Sequence, residues 1–478
     1  MNEHTSTYRF APRQEGGVLG LSRPQVVTSS AGVLLALVSV LGARQPIVGL
    51  AFLALGAIVA FAPIGGRPLV AWWAPVAARF LGRRGATAPL SEHSLSQGKG
   101  VRPASLSAPI RWHLSGVGRL VIRPVPTPVG EVAVADVSGG QRSASVTFAL
   151  SGPRFGLVDG EEQARALGSW GQLLGALARE SRELQRLQLT ERIVPDDLAP
   201  HFAYLAEVAD GAEPGALATY RRELELLAGT AVRHEVLLTA TLGKSGRSGH
   251  ADVVSSECVR LANLLDSAGF VGRPLDTVAL ASTIRSILDP EGEVVRDEGA
   301  PSHAPQAWRA SWSTCVTDSG HHASFEASGL PRLPVGPEWA WPLVLAEPPV
   351  TRRTLALHLE LARPDLAIRR AERAVLSQEG DEAMRERWGF RSGARQDQAH
   401  DAALAREVEL ATGFADARFA LVVTVSAKDE QALGESCRAL VSQAAQSHVE
   451  LRRCYGRQAD ALVASLPLGV VRFSGGWR

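Results

Sequence analysis

The sequence predicts an α+β protein: an N-terminal two-helix transmembrane hairpin, then a long region of antiparallel strands and amphipathic helices. Three observations carry this expectation. Two uncharged stretches, residues 24–43 and 47–64, are separated only by Arg44-Gln45-Pro46. Beyond Gly118 several segments alternate apolar and polar residues with the period of two that marks a half-buried strand. Between them lie segments whose apolar residues recur at helical spacing.

Each uncharged stretch has about the 17–25 residues that a helix needs to cross a hydrocarbon core of about 30 Å. In that medium the backbone must satisfy its own hydrogen bonds, so both should be helical. A three-residue connection makes them antiparallel neighbours. A cleaved signal peptide would explain Arg23 and the small-residue site Val40-Leu41-Gly42. The first stretch is long for such a core, however, and a second follows at once. Arg9, Arg13 and Arg23 precede the hairpin, Arg67, Arg79, Arg83 and Arg84 follow it, and the turn offers only Arg44. The positive-inside rule then places both ends in the cytoplasm, giving a multi-pass protein of the cell membrane with both termini cytoplasmic. Trp72 and Trp73 suit an interfacial aromatic position.

The chain has 478 residues and a formal net charge of +1. That length accommodates two or three domains. Near-neutral charge argues against a dedicated nucleic-acid binder, which carries a basic stripe. Only Lys99, Lys244 and Lys428 of the 50 basic residues are lysines, a bias that fits a GC-rich bacterial genome. Cys258, Cys315, Cys437 and Cys454 are widely spaced and form no C-x-x-C pair. They are expected to be small buried thiols rather than a zinc or disulfide framework.

Residues 1–23 form a polar, glycine-rich leader, 24–66 the hairpin, and 83–110 a Gly/Ser/Pro-rich linker. Two cytoplasmic α+β subdomains are expected, 111–290 and 305–478, around a Pro/Gly/charge-rich break at 289–311. In the first, strands are expected at 120–122 and 132–134. Residues 143–150 should form a half-buried strand with Ala144, Val146, Phe148 and Leu150 on one face and Ser143, Ser145 and Thr147 on the other. Helices are expected at 161–179, 216–228, 255–268 and 277–288, with strands at 184–194 and 232–242. In the second, strands are expected at 322–327, 354–361, 419–425 and 448–454. Helices should fill 365–376, 381–412, 430–446 and 456–465. Strand, helix and strand between 419 and 454 predict a split βαβ unit of ferredoxin-like type near the C-terminus.

Few residues read as chemistry. Leu242-Gly243-Lys244-Ser245 ends like a phosphate loop, which requires G-x-x-x-x-G-K-[ST], but Leu238 stands at the first glycine position inside an expected strand. His321 and His322 are adjacent on a strand and point to opposite faces, so they do not readily share an ion. Asp397, His400 and Asp401 lie at helical i, i+3, i+4 spacing, more often a solvated face than a metal site. His234, on an apolar strand face, reads as a core histidine with a hydrogen-bond partner. No catalytic, cofactor-binding or metal-binding set emerges, and a non-enzymatic role is expected. Two alternatives remain at this point: a membrane-tethered enzyme acting through Gly243-Lys244-Ser245 or His321-His322, and a DNA or substrate receptor using Arg352-Arg353, Arg369-Arg370 and Arg452-Arg453.

Two regions resemble known machinery. Tyr8-Arg9-Phe10 through Gly20-Leu21-Ser22-Arg23-Pro24-Gln25, followed by the tight hairpin, resembles the small inner-membrane hairpin subunit of conjugative type IV secretion systems. From about residue 115 onward the chain is similar to the N-terminal, non-ATPase region of the conjugative type IV secretion ATPase family. The carrying residues are Ser145-Val146-Thr147-Phe148, Ser169-Trp170 with Leu173-Leu174, and Leu187-Gln188-Leu189-Thr190-Glu191-Arg192. The closing run adds 419–425, Glu450-Leu451-Arg452-Arg453-Cys454-Tyr455-Gly456 and Ala464-Ser465-Leu466-Pro467-Leu468-Gly469. The arrangement resembles an actinobacterial membrane protein family found with such systems. In those ATPases a nucleotide-binding domain follows the Leu-Pro-Leu-Gly region, whereas this sequence stops nine residues after Gly469. The resemblance therefore implies a membrane-anchored scaffold that docks a separate P-loop ATPase, with other membrane secretion subunits, the bilayer and copies of itself as further partners.

Overall fold

The computed structural model describes residues 23–42, 44–64, 67–72, 76, 109–114, 117–137, 143–152, 158–196, 198–208, 211, 213–243, 250–292, 307–331, 333–345, 352–387 and 404–471. Arg9, Arg13, Arg79, Arg83, Arg84, Trp73, Lys244, Asp397, His400 and Asp401, with most of the leader and linker, lie outside these residues. The chain divides into two compact units, an N-terminal one around the hairpin and a larger one built on a sheet.

In the first unit, α1 (Arg23–Leu41) and α2 (Pro46–Phe61) form an antiparallel pair, followed by the short ribbon β1 (Pro63–Ile64) and β2 (Arg67–Pro68). Arg23 opens α1 and Arg67 opens β2. Among the described residues one helix is long and apolar enough to cross a membrane, over Pro24–Leu41; α2, with 16 residues, is shorter. The contact between them is made by small residues. A Cβ on Gly32 would meet the Gly56 Cα at 3.1 Å, and one on Gly49 would meet the Ala36 carbonyl oxygen at 3.0 Å. Gly32, Ala36, Gly49, Gly56 and Ala60 are buried, while Leu34, Leu37, Leu50, Leu55 and Ile58 point outward. Within the helix Thr28 donates to the Pro24 carbonyl and Ser39 to that of Leu35. The Gln25 amide donates across the pair to the Ala60 carbonyl at 3.1 Å.

The second unit is built on one thirteen-stranded sheet. Its first half runs β3 (Ile110–Leu114), β4 (Gly118–Thr127), β5 (Gly130–Val137), β6 (Ser143–Ser151), α3 (Gly160–Glu180), β7 (Leu184–Pro195), α4 (Ala199–Val208), α5 (Pro214–Leu227), β8 (Val232–Gly243), α6 (His250–Ser267), β9 (Val271–Pro274) and α7 (Thr277–Leu288). The second half runs β10 (Trp308–Ala310), β11 (Cys315–Thr317), β12 (His321–Gly329), α8 (Trp341–Val344), β13 (Arg352–Leu361), α9 (Pro364–Arg387), a helical stretch α10 at 404–411, β14 (Ala417–Ala427), α11 (Glu430–Gln446), β15 (Glu450–Arg453) and α12 (Gln458–Ser465).

The two halves share one strand plan. In the first, β6 pairs with β8 on one edge and with β5 and β9 on the other, and β8 pairs with β7. In the second, β12 pairs with β14 on one edge and with β11 and β15 on the other, and β14 pairs with β13. All these pairs are antiparallel. Hence β8 and β9, joined by α6, run parallel on either side of β6, and β14 and β15, joined by α11, do the same around β12. The halves meet where β7 pairs antiparallel with β13, from Arg353 opposite Ile193 to Leu359 opposite Leu187.

Aspartates at N-caps fix where helices begin, because a carboxylate accepts an otherwise orphaned backbone N–H. Asp276 caps α7 through Ala279 N and Asp429 caps α11 through Ala432 N, which is why the expected boundaries 277–288 and 430–446 match the observed ones. The apolar faces of β6, β7, β8 and β13 pack on α3 and α6. Those of β12 and β14 pack on α8 and α11. Both ends of the sheet, β3–β4 and β10–β11, contribute to one further cluster with α7, Leu462, Val463, Leu466 and Leu468. The sheet therefore curls into a nearly closed barrel around α12, a closure the sequence reading does not contain.

Several expectations are corrected. The Ser145–Thr147 face of β6 is buried as fully as its apolar face. Strand β3 begins at the last residue of the expected linker, β10 lies within the expected break, and β3, α4, β9 and β11 are absent from the expected elements. A single α9 runs through the gap expected at 377–380. His234 is a third exposed near the open end of β8 rather than in a core.

Two glycines on α3 receive the loop before β14. A Cβ on Gly171 would meet the Phe414 ring at 2.6 Å, and one on Gly175 would meet the Gly413 carbonyl oxygen at 2.3 Å. Gly168, on the same helix, faces open space. Gly175→Ala should therefore lower stability by about 1–3 kcal/mol through overpacking. Gly168→Ala should be neutral or stabilising by up to about 1 kcal/mol through helix propensity. Urea unfolding of the two full-length variants checks this, and equal effects would contradict the packing.

Candidate functional site

The inner face of the sheet is polar. Ser145 and Thr147 on β6, Gln188 and Thr190 on β7, Thr239 and Thr241 on β8, His358 on β13, Thr424 and Ser426 on β14, and His322 and Ser324 on β12 are all buried. Buried polar atoms require partners, and the strap formed by α12 and residues 466–469 supplies many of them. The Ala464 carbonyl accepts from His358 Nε2 at 2.8 Å and from Gln188 Nε2 at 3.3 Å. The Leu466 carbonyl accepts from Gln188 Nε2 at 2.8 Å, and the Gly469 N–H donates to Gln188 Oε1 at 2.8 Å. Thr147 donates to the Pro467 carbonyl, Ser145 to that of Leu468, and Arg186 Nη1 to that of Gly469 at 3.0 Å.

At the other end of the strap, the Gln458 side chain acts as a piece of backbone. Its Oε1 accepts from Ser324 N at 2.8 Å, and its Nε2 donates to the Ser324 carbonyl at 3.2 Å. A hydroxyl chain from Ser324 through Thr424 to Ser465 joins strand to helix at 2.8 and 2.6 Å. Gly469 has φ +64°, and a Cβ there would stand 1.9 Å from Thr241 Oγ1. Only glycine suits that combination.

Two arginines, Arg192 and Arg186, lie on this face, and Arg353 is buried on the opposite one. Arg192, buried on the inner face, donates to Glu235 at 2.5 Å and to Ser286 at 2.8 Å, and burial lowers its pKa. Arg186 pairs with Glu360 at 2.8 Å. Arg353 is buried between the Leu343 carbonyl at 2.6 Å and Gln443 Oε1 at 2.5 Å, and burial pulls its pKa down to about 10.

The residues singled out by sequence do not converge. His322 is enclosed between Thr317 Oγ1 at 2.7 Å and Ser426 Oγ at 2.8 Å, and burial holds its pKa down at about 4. Burial likewise depresses His358 to about 3. His234 bonds Glu191 at 2.9 Å, which raises its pKa. Leu238 lies buried within β8, so the chain before Gly243 is a strand and not a phosphate-wrapping loop. The arginine pairs are dispersed: Arg353 is internal, Arg352 faces Glu291 at 3.3 Å, and Arg453 donates to the Ser313 carbonyl at 2.9 Å. All four cysteines are buried, with Cys258 and Cys315 pushed up to about 12. Among the described residues no group of three His, Cys, Asp or Glu is placed to hold a metal ion.

A cavity of about 410 Å³ lies between α3, α6 and the 412–414 loop, lined by Ser169, Gln172, Arg179 and Phe414 among others. Its arginine already donates to the Gly413 carbonyl at 2.7 Å. The sequence carries only a partial signal of this seam: hydroxyl and imidazole residues alternate with apolar ones in β6, β8, β13 and β14, a pattern shared by strands whose polar face meets water. Comparison with family models finds no match for this chain, and comparison with curated proteins finds no significant similarity.

His322 ties stability to pH. Its folded pKa of about 4 lies below the ordinary 6.5, so the unfolded chain binds a proton first as pH falls. The resulting stability is complete above pH about 6.5 and is lost as pH falls toward 4. Between pH 7 and 4.5 the native chain should lose on the order of 2–3 kcal/mol more than His322→Gln does, from the shift of this one group. Urea unfolding at the two pH values checks this, and parallel losses would contradict it.

Proposed function

We propose that the chain is a membrane-anchored structural subunit of a conjugation-like type IV secretion apparatus, with its sheet unit docking a separate P-loop ATPase at the inner face of the membrane. The observation that carries the membrane part is the packing of α1 against α2. Small residues fill the contact and large apolar residues face outward over both helices. Helices in lipid associate in this way, because the surrounding tails are as apolar as leucine and close approach is what remains to be gained. On this reading α2, at about 24 Å by helical rise, spans with local thinning of the bilayer. The flanking arginines then put both ends of the hairpin in the cytoplasm.

The docking part rests on the resemblance, supported by two structural features. Each half follows the strand plan of a ferredoxin-like unit, in which a third strand is inserted between the two parallel ones. The run Ala464-Ser465-Leu466-Pro467-Leu468-Gly469, which leads into the motor in the ATPases, here closes the polar seam. Tethering by the hairpin would raise the effective concentration of the ATPase at the membrane. The internal use of Arg353 and Arg453 weighs against a basic DNA-binding face.

Two measurements test this. A membrane-impermeant maleimide applied to intact spheroplasts should label Gln45→Cys in the turn and leave Glu223→Cys unlabelled; the reverse pattern would overturn the topology. A gentle-detergent pull-down from the native bacterial membrane should recover a P-loop ATPase. Recovery of the chain alone, with nucleotide hydrolysis of its own, would overturn the scaffold reading.

A further inference from the structure

The curled sheet has one place where its strands stop without meeting. Eleven of its thirteen strands follow a single path from β10 to β3, and every step of it is antiparallel. Among the described residues no strand pairs with the outer edge of β3 or of β10. Both end strands nevertheless share one core, because Trp308 of β10 packs against the cluster that holds Trp112 and Leu114 of β3. An odd number of strands in alternating directions leaves β3 and β10 running the same way, so the ring does not close on itself by antiparallel pairing. One further strand, running the opposite way, would pair antiparallel with both. It would complete an even-numbered barrel, the form in which no edge remains.

The chemistry of the gap specifies that strand. Two open edges present N–H and C=O groups that an extended backbone matches. The inner side is apolar, made by Ile110, Trp112, Leu114 and Trp308, so inward positions of the strand are apolar. Trp112 Nε1 is buried on this side without an acceptor, and one acceptor side chain among those inward positions would complete it. The outer side is basic. Over their full ranges β3, β4, β10 and β11 hold Arg111, Arg119, Arg123 and Arg309 and no acidic residue. Arg123 is matched by Asp136 of β5 at 3.0 Å, whereas Arg111, Arg119 and Arg309 are exposed. Asp318, in the turn after β11, accepts from the Ala307 N–H. The residues that lead into the two edges, 83–108 and 293–306, are rich in Gly, Pro and Ser and have low strand propensity. We propose that the gap between β3 and β10 is a docking site for an extended segment of a partner protein in which apolar residues alternate with acidic ones. Strand addition of this kind takes its affinity from main-chain hydrogen bonds and its selectivity from alternate side chains. The inference stands on the sheet unit alone, so its failure would leave the secretion reading untouched.

The test uses the full-length chain in mild detergent and a fluorescent peptide of about eight residues in which valine alternates with glutamate. Fluorescence anisotropy should show saturable binding, and the valine–lysine counterpart should bind at least about tenfold more weakly. With the first peptide bound, hydrogen exchange should slow most in β3 and β10. Arg111→Glu/Arg309→Glu should reverse the preference between the two peptides, and Arg111→Lys/Arg309→Lys should keep it, with thermal unfolding unchanged in both. The proposal is overturned if neither peptide binds saturably, if the two bind alike, or if protection falls outside β3 and β10. Dimers of the chain that form through these strands and resist the peptide would give the gap to a second copy, and overturn it as well.

Discussion

The sheet unit depends on the capture of one stretch of backbone by side chains. Residues 464–469 cross the inner face with carbonyls directed at Gln188, His358, Thr147, Ser145 and Arg186. Without that segment the inner face would be a dry concavity lined with hydroxyls, amides and imidazoles, each costing about 1–3 kcal/mol if left unpaired. With it, β6, β7 and β8 of the first half and β12, β13 and β14 of the second share one set of partners. Burial of His322 and His358 on the same face holds both rings toward the neutral form.

The two units solve the packing problem in opposite ways. In the sheet unit, large apolar residues such as Phe148, Leu238 and Leu440 lie inside, as the release of water from apolar surface requires. In the hairpin the inside is glycine and alanine, and the large residues look out. A single solvent does not favour both arrangements. Small residues inside and large ones outside is the packing that helices adopt in lipid.

Much of this was legible in the sequence. Period-two alternation located β6, β8, β13 and β14, and helical periodicity located α7 and α11 to the residue. The split arrangement around β12 was also accessible, because strand, helix and strand followed within 36 residues from Phe419 to Cys454. The covered polar face was not, since alternation of Thr and Val reads the same whether the threonines meet water or a strap some 320 residues away, as with Thr147 and Pro467. The pairing of β7 with β13, which joins the halves, is likewise a long-range event with no local signature. Short edge strands such as β9, β10 and β11, of three or four residues, carry too few positions for periodicity to register.

The claim on which the account turns is that the strap holds both halves at once. Hydrogen exchange on the full-length Gln188→Ala chain tests it directly, because that change removes the donor to Leu466 and the acceptor from Gly469 together. The account predicts faster exchange in β6, β7 and β8 and equally in β12, β13 and β14. Faster exchange confined to residues 464–469, with the strands of both halves still protected, would contradict it.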